Sequence, residues 1–420
     1  MMDFSVGMSR NWDGFDAGEE VAIRTLEKLE GNPKFLLLFS TYHYLKNREF
    51  EKILEGVHTH VSPKVPLIGG SIAGFITREG CYTRGVSAMS SSYENMDVAV
   101  GIGRNTKLTP QKAGRDCAEQ IKNELKYSKF KQKFFITIIS AAEVPNLPLI
   151  GKKKVVNVFG INFFLKFFNE ICALTQIGIG RDDTVFDSFS KELEGFIGIG
   201  GASCDNLSME KNRQFFMNSV VSNSIVSIGV SCDKEIIVNT SFGLSPYGKK
   251  FKIDKLSGGG YVLEKINNQP AVEEYLNIMG WTRDVLDERL YRKVFYYPFV
   301  QENSKKLLQP KMLALVYGNK FVCAAKPIEN KSAEIYISSG NSLLKSINDL
   351  FTSQKCNSAF LVSCGTRLET LGANAYLIKD LLDKKIKGDY LTIYVGGEYS
   401  KLNESERAFM YQSDNAILLP

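Results

Sequence analysis

The run Phe35-Leu36-Leu37-Leu38-Phe39 constrains the fold more than any other stretch of this chain. Five consecutive apolar residues read as a strand buried on both faces, and such a strand needs helices over its sheet. The neighbouring sequence supplies them. Residues 17–30 place Val21, Ala22, Leu26 and Leu29 at helical spacing until Gly31-Asn32-Pro33 breaks the pattern. Residues 48–60 set Phe50, Ile53, Leu54 and Val57 on one side of a second helix. Pro66-Leu67-Ile68-Gly69-Gly70 then predicts a strand ending in a tight glycine turn, with further strands at 86–89 and 98–102.

The same order recurs. A strand at 134–139, a helix at 163–174 and a strand at 196–201 ending in Ile-Gly-Gly precede further strands at 219–230 and 235–239. Each Ile-Gly-Gly is followed by β-rich sequence and a proline loop, at Pro110 and Pro246. The recurrence predicts two related lobes, 1–130 and 131–255, in a first domain spanning 1–255. Ser257-Gly258-Gly259-Gly260 marks a joint, and 256–420 forms a second α/β domain. Its strands are expected at 311–316, 320–325, 334–338, 359–363, 390–395 and 416–419, with helices at 342–351 and from the Cys364-Gly365-Thr366-Arg367 turn to about 383. A chain of 420 residues exceeds one ordinary core. The fold class is α/β or α+β, with mixed β-sheets flanked by helices and no low-complexity linker between the domains.

Charge and composition exclude several functions. The 52 basic and 46 acidic residues are spread along the chain. The densest basic spots, Lys152-Lys153-Lys154, Lys249-Lys250 and Lys384-Lys385, do not build the single positive face that nucleic acid requires. The most apolar stretch, 155–180, is interrupted by Asn157, Asn162, Lys166, Asn169 and Glu170, so it reads as a buried helix and strand and not as a membrane span. Residues 1–11 lack a signal-peptide layout. The eight cysteines (Cys81, Cys117, Cys172, Cys204, Cys232, Cys323, Cys356 and Cys364) contain no CxxC pair and read as reduced thiols of a cytoplasmic protein.

Three glycine pairs at strand ends carry the strongest local signal: Gly69-Gly70, Gly200-Gly201 and Gly396-Gly397. Glycine lets backbone amides approach a guest molecule, and ligands of α/β sheets sit beyond the carboxyl ends of strands. Beside the pairs lie Ser71, Ser203 with Asp205, and Glu398, whose carboxylate suits a ligand amino group. No cofactor is implied. GxGxxG and GxxxxGK[ST] are absent, and Gly101-Ile102-Gly103 and Gly178-Ile179-Gly180 lack the later glycine of a phosphate cradle. Cys364 follows a buried strand and opens a helix beside Arg367, a setting that can acidify a thiol. The competing reading is a buried structural cysteine, because His43, His58 and His60 all lie in the other half of the chain. His58 and His60 bracket Thr59 and, on a helix, point apart; no metal is expected. The adjacent pairs Asp182-Asp183 and Glu273-Glu274 read as solvated edges.

Several of these stretches, in order, resemble the FIST family. The opening, residues 14–38, with Asp16-Ala17-Gly18 before the first helix, is similar to the family's start, and Ile68-Gly69-Gly70-Ser71-Ile72-Ala73-Gly74 to its small-residue turn. Ile199-Gly200-Gly201-Ala202-Ser203-Cys204-Asp205-Asn206 looks like its Gly-Gly-x-x-x-Asp signature, with Asn206 in place of a frequent second aspartate. Residues 261–279 resemble the segment joining the N-terminal and C-terminal FIST domains; Ser363-Cys364-Gly365-Thr366-Arg367 and Gly397-Glu398 resemble turns of the C-terminal one. One departure is Gln412-Ser413, where the family often has His-Asn before the last strand. The resemblance implies a signal-input module, here standing alone, that binds a small ligand such as an amino acid or related metabolite and informs a signalling partner protein. Two other readings stay open: an enzyme using Cys364 with Arg367 and Glu398, and an interaction scaffold without a ligand.

Overall fold

The computed structural model describes residues 4–144, 146, 151–156, 178, 180–302, 308–351 and 356–419. The helix expected at 163–174 and most of the apolar stretch 155–180 lie outside the described residues.

Three units follow one another along the chain. The first runs β1 (Ser5–Ser9), α1 (Gly14–Leu26), β2 (Phe35–Thr41), α2 (Glu49–Val57), β3 (Leu67–Ile72), the hairpin β4 (Gly74–Thr77) and β5 (Gly80–Tyr82), and β6 (Val86–Ser91). The second repeats this order with β7 (Met96–Arg104), α3 (Pro110–Glu124) and β8 (Gln132–Ser140). A connection carrying β9 (Val155–Val156) leads to α4 (Asp182–Glu192), β10 (Ile197–Ser203), the hairpin β11 (Gln214–Phe216) and β12 (Ser219–Val221), and β13 (Ser224–Cys232).

The third unit begins with β14 (Ile237–Phe242) and is then interrupted by an inserted domain. The insertion holds β15 (Leu244–Ser257), β16 (Val262–Ile266), β17 (Gln269–Pro270), α5 (Ala271–Met279), α6 (Glu288–Tyr296), β18 (Phe299–Glu302), β19 (Leu308–Lys311), β20 (Leu313–Tyr317), β21 (Lys320–Cys323) and β22 (Ser332–Ser338). The unit resumes with α7 (Gly340–Asp349), β23 (Ser358–Cys364), α8 (Thr366–Leu371), α9 (Tyr376–Lys385) and β24 (Tyr390–Val395). The hairpin β25 (Glu398–Lys401) and β26 (Arg407–Met410) and a last strand β27 (Ser413–Leu419) complete it.

Each unit builds a six-stranded sheet of one pattern. The orders are β1-β6-β2-β3-β11-β12, β7-β13-β8-β10-β25-β26 and β14-β27-β23-β24-β4-β5. The pairs β2/β3, β8/β10 and β23/β24 are parallel and their sheet neighbours antiparallel. Every sheet ends in a hairpin lent by another unit: β11–β12 completes the first, β25–β26 the second and β4–β5 the third. The exchange closes in a ring of backbone bonds, Cys204 N to Ser71 O, Gly396 N to Ala202 O and Ala73 N to Tyr394 O, each 2.9 Å. The sequence expectation of two related lobes is therefore corrected to three units. The third escaped notice because some hundred residues (243–339) part its first strand from its first helix. A division at 255/256 falls inside β15, and 130/131 falls within the second unit.

Side-chain alternation explains the layers. In β2, Phe35, Leu37 and Phe39 enter a central core shared with Ile136, Ile199, Val226, Phe360 and Ile393 of the other sheets. Leu36 and Leu38 face the opposite way, under Val21 and Ala22 of α1 and Ile53 of α2. The continuous apolar run thus serves two cores at once. Helix α1 starts at Gly14 with Asp13 as its cap, so Asp16-Ala17-Gly18 lies inside the helix and not before it. Gly18 is there for contact: a Cβ would stand 2.1 Å from the Ile53 carbonyl oxygen of α2.

The insertion adds the sheet β19-β18-β22-β15-β16-β21-β20, to which β9 from the second unit joins alongside β20. Its Tyr275, Leu290, Phe295 and Phe321 share a core with Ile121, Phe186 and Phe189 of α3 and α4. Among the described residues no helix is long and apolar enough to cross a membrane.

Because no unit completes its own sheet, the three units should unfold together. Scanning calorimetry is expected to give one endotherm for them, with calorimetric and van't Hoff enthalpies in agreement. Separate transitions for residues 1–91 and 96–232 would contradict the interlocking.

Candidate functional site

Beyond the carboxyl ends of β8 and β10, where parallel α/β sheets leave a crevice, a hollow opens between the three-unit core and the insertion. The core contributes Glu143 after β8, Asp182 at the start of α4, Asp205 and Asn212 after β10, and Tyr411. The insertion closes it with Tyr291 and Phe295 of α6, Met312 and Ala314, and Cys323 of β21. Positions open to the centre of a water molecule occupy about 100 Å³. One water needs roughly 10–15 Å³ on that measure, so the space admits a small organic molecule.

The polar wall is tightly organised. Asp205 accepts hydrogen bonds from Ser208 Oγ (2.9 Å) and from the amides of Met209 (3.0 Å), Glu210 (2.7 Å) and Lys211 (3.3 Å). Those bonds hold Leu207 (φ 67°) and Met209 (φ 54°) in the left-handed region, a conformation that persists only where neighbours over-determine it. Asn212 Oδ1 meets Ser140 Oγ (2.9 Å), Ser203 Oγ (3.1 Å) and Gln214 Nε2 (2.8 Å). Its Nδ2 donates to Glu143 Oε1 (3.1 Å). Asp182 is buried, with Oδ2 accepting from the Tyr399 hydroxyl at 2.8 Å. Burial, and then the neighbouring Asp183 charge, push its carboxyl up to about 7.

Tertiary structure relocates several residues that the sequence singles out. Gly69, Gly70 and Ser71 lie within β3, and Gly200, Gly201 and Ser203 within β10, so neither glycine pair is a turn. A Cβ at Gly69 would stand 1.7 Å from Leu38 O, at Gly200 2.3 Å from Thr137 Cγ2, and at Gly201 2.7 Å from Val395 Cγ2. These glycines serve close strand packing, and neighbours fill the space in front of them. The ring of backbone bonds makes Gly69-Gly70 equivalent to Gly200-Gly201, while Gly396-Gly397 corresponds to Cys204-Asp205. Gly396 lines the hollow, and Gly397, between β24 and β25, accepts the Ala202 amide on its carbonyl.

Cys364, Arg367 and Glu398 do come together, but in a second, buried cluster apart from the hollow's lining. The expected acidic thiol is corrected: burial, with the Glu398 carboxyl beside it, drives the Cys364 pKa up. Its Sγ lies 3.0 Å from Thr366 Oγ1. The Arg367 guanidinium turns instead to Asp414 and to Ser346 Oγ at 2.8 Å. Glu398 Oε2 accepts the Ser413 amide at 3.1 Å, and burial raises its carboxyl to about 8. Gln412 donates to the Phe295 carbonyl of α6, so the unusual Gln412-Ser413 pair ties this cluster to the insertion.

Sequence reasoning missed Glu143, Asn212, Tyr291, Phe295 and Tyr411, and set Asp182 aside as a solvated edge. That reading of Asp182 is corrected: only 3% of its surface is exposed. A signal existed. Asp182, Phe186 and Phe189 share one helical face at i, i+4 and i+7, whereas Asp183 does not.

Comparison with protein families matches the FIST N domain to residues 34–269, more than half of the chain. The protein belongs to the FIST family. FIST domains are sensory, and the match runs from just before β2 through both complete parallel pairs of the first two units to β17. A comparison with curated proteins found no match. Among solved structures the FIST chain is similar to a cyanuric acid hydrolase described in terms of structural concatenation, at 9% identity and TM-score 0.31, covering 100% of this chain and 99% of that one. It is also similar to the cyanuric acid hydrolase of A. caulinodans, at 6% identity and TM-score 0.39, with 99% of each chain covered. At those TM-scores the likeness carries no chemistry over.

Proposed function

We propose that this FIST protein is a cytoplasmic sensor that binds a small ligand, an amino acid or related metabolite, in the hollow between core and insertion, and that a partner protein reads the liganded state. The observation that carries this reading is the make-up of the walls, drawn from the core on one side and the insertion on the other. A guest that bridges two bodies favours whichever arrangement it fits best, and that differential affinity is what a signal requires. The seven described cysteines are free, in keeping with a reducing compartment. A sensor accounts better than an enzyme for a buried Cys364 whose thiol is kept protonated.

The test is thermal-shift screening of the full chain against amino acids and related metabolites. A ligand at a hundred times its Kd should stabilise the folded state by about 2.7 kcal/mol. Ala314→Trp, which fills the hollow, should abolish the shift. Silence across the panel, or a shift that survives Ala314→Trp, refutes the reading.

A further inference from the structure

At the amino end of β8, opposite the end that carries the hollow, the second unit bears a patch of unpaired positive charge. Residues 122–133 leave α3 and enter β8, and they hold five lysines (Lys122, Lys126, Lys129, Lys131 and Lys133) against one acid, Glu124. A spacing of two to four residues hides these lysines from a search for adjacent basic residues.

Packing turns them to one side. Ile121 and Leu125 are buried in the core beneath α3, which leaves Lys122 and Lys126 outside. In β8, Phe135 enters that same core, so Lys133, two residues earlier, emerges on the α3 side of the sheet, its Nζ 5.5 Å from the centre of the Phe196 ring. Lys122, Lys126, Lys129 and Lys131 are exposed and Lys133 is half-buried. Lys112, nearer the start of α3, pairs with Asp116 at 3.5 Å, but none of the five pairs with a carboxylate among the described residues. The acids of the neighbouring strand ends keep their own donors: Asp97 accepts Ser128 Oγ at 2.6 Å, and Asp233 accepts Tyr93 Oη and Asn95 Nδ2.

The negative end of the α3 dipole favours Lys122, but Lys129, Lys131 and Lys133 lie beyond the helix. Like charges gathered in this way repel one another until an anion lies across them. Among them stands Tyr127, an aromatic side chain left 86% exposed. Lysine is a hydrated point charge on a flexible stem and is depleted from the cores of protein interfaces, and the patch has no arginine to fork onto a base or a carboxylate. Several lysines around one amphipathic ring match a diffuse anionic field with an apolar layer beneath it. We propose that this corner docks on an anionic membrane surface, the five lysines over phospholipid headgroups and Tyr127 between them. The nine residues of β8 set the patch about 30 Å from the hollow, so docking is separate from ligand binding.

Co-sedimentation of the full chain with phosphatidylcholine vesicles, with and without about three tenths phosphatidylserine, tests this at about 0.1 M salt. Vesicles containing phosphatidylserine are expected to bind at least about tenfold more tightly, and about 0.5 M salt should release the protein. Each lysine near such a surface contributes about fivefold, so the triple variant Lys126→Gln, Lys129→Gln, Lys131→Gln should lose about a hundredfold. Tyr127→Ala should weaken binding about threefold. The control variant Lys384→Gln, Lys385→Gln, Lys387→Gln loses the same charge from the third unit and should bind as wild type. Equal binding to both kinds of vesicle, an equal loss in the control variant, or wild-type affinity in the Lys126/Lys129/Lys131 variant overturns the proposal. So does failure to bind anionic vesicles by a chain that binds polyuridylate or polyglutamate, which would assign the patch to nucleic acid or to an acidic protein.

Discussion

Replacing Arg367 with leucine is expected to cost about 3–5 kcal/mol of folding stability, the usual penalty for stranding one member of a buried ion pair. Arg367 is fully buried, with Nη1 on Asp414 and on Ser346 Oγ and Nη2 on the Gln412 carbonyl. Asp414 also accepts from Ser346 Oγ and Ser363 Oγ, each at 2.6 Å. The cluster fastens α7, α8, β23 and β27 of the third unit to one another. Burial raises the Asp414 carboxyl, and the guanidinium opposes that rise.

Removing the guanidinium leaves burial opposed only by the Ser346 and Ser363 hydrogen bonds, so Asp414 should hold its proton to higher pH in the folded variant. A folded-state pKa raised above the unfolded value contributes stability that is present at low pH and lost as pH rises through it. The deficit of Arg367→Leu against wild type should accordingly be smaller at pH 5 than at pH 8 in urea unfolding. The double variant Arg367→Leu, Asp414→Leu should recover most of the loss, since an apolar pair of similar volume removes both charges. An Arg367→Leu protein within about 1 kcal/mol of wild type at pH 8 would mean that the pair is dispensable.

Glu398→Gln is expected to act in the opposite direction and to stabilise the protein above neutral pH. Glu398 titrates near 8 in the folded chain instead of near 4.5, because burial outweighs the Ser413 amide and the Arg367 charge. Between those values the folded state holds a proton that the unfolded state has released, so wild-type stability should fall as pH rises from about 4.5 through about 8. Glutamine removes that slope, and at pH 9 the variant should exceed wild type by about 2–4 kcal/mol. Asp182, raised to about 7 by its own burial, should leave a residual slope of the same sign between about 4 and 7. Denaturation midpoints that fall in parallel for wild type and Glu398→Gln across pH 5–9 would contradict the assignment.

Local sequence specifies much of this protein. Apolar runs such as Phe35-Leu36-Leu37-Leu38-Phe39 require a strand buried on both faces, and helical spacing at Ile53, Leu54 and Val57 requires a helix over it. The mixed α/β class follows from such patterns, because periodicities of two and 3.6 are written into neighbouring residues. The Gly-Gly recurrence at 69–70 and 200–201 carried real information too, though about equivalent strands and not about open turns. Buried glycines and ligand-facing glycines look alike in a chain, since each is defined by what the missing Cβ would meet.

What only the tertiary structure decided is who faces whom. The exchange of β4–β5, β11–β12 and β25–β26 among units rests on pairings between strands as far apart as Ile76 and Thr392, for which sequence order offers no guide. The hollow was set in the same way: Glu143 and Asp182 acquire their meaning only when α6 and β20, more than a hundred residues later, cover them. Backbone preference is a property of adjacent residues, whereas desolvation of a carboxylate depends on distant segments arriving together. The elements were therefore legible in one dimension and the site only in three.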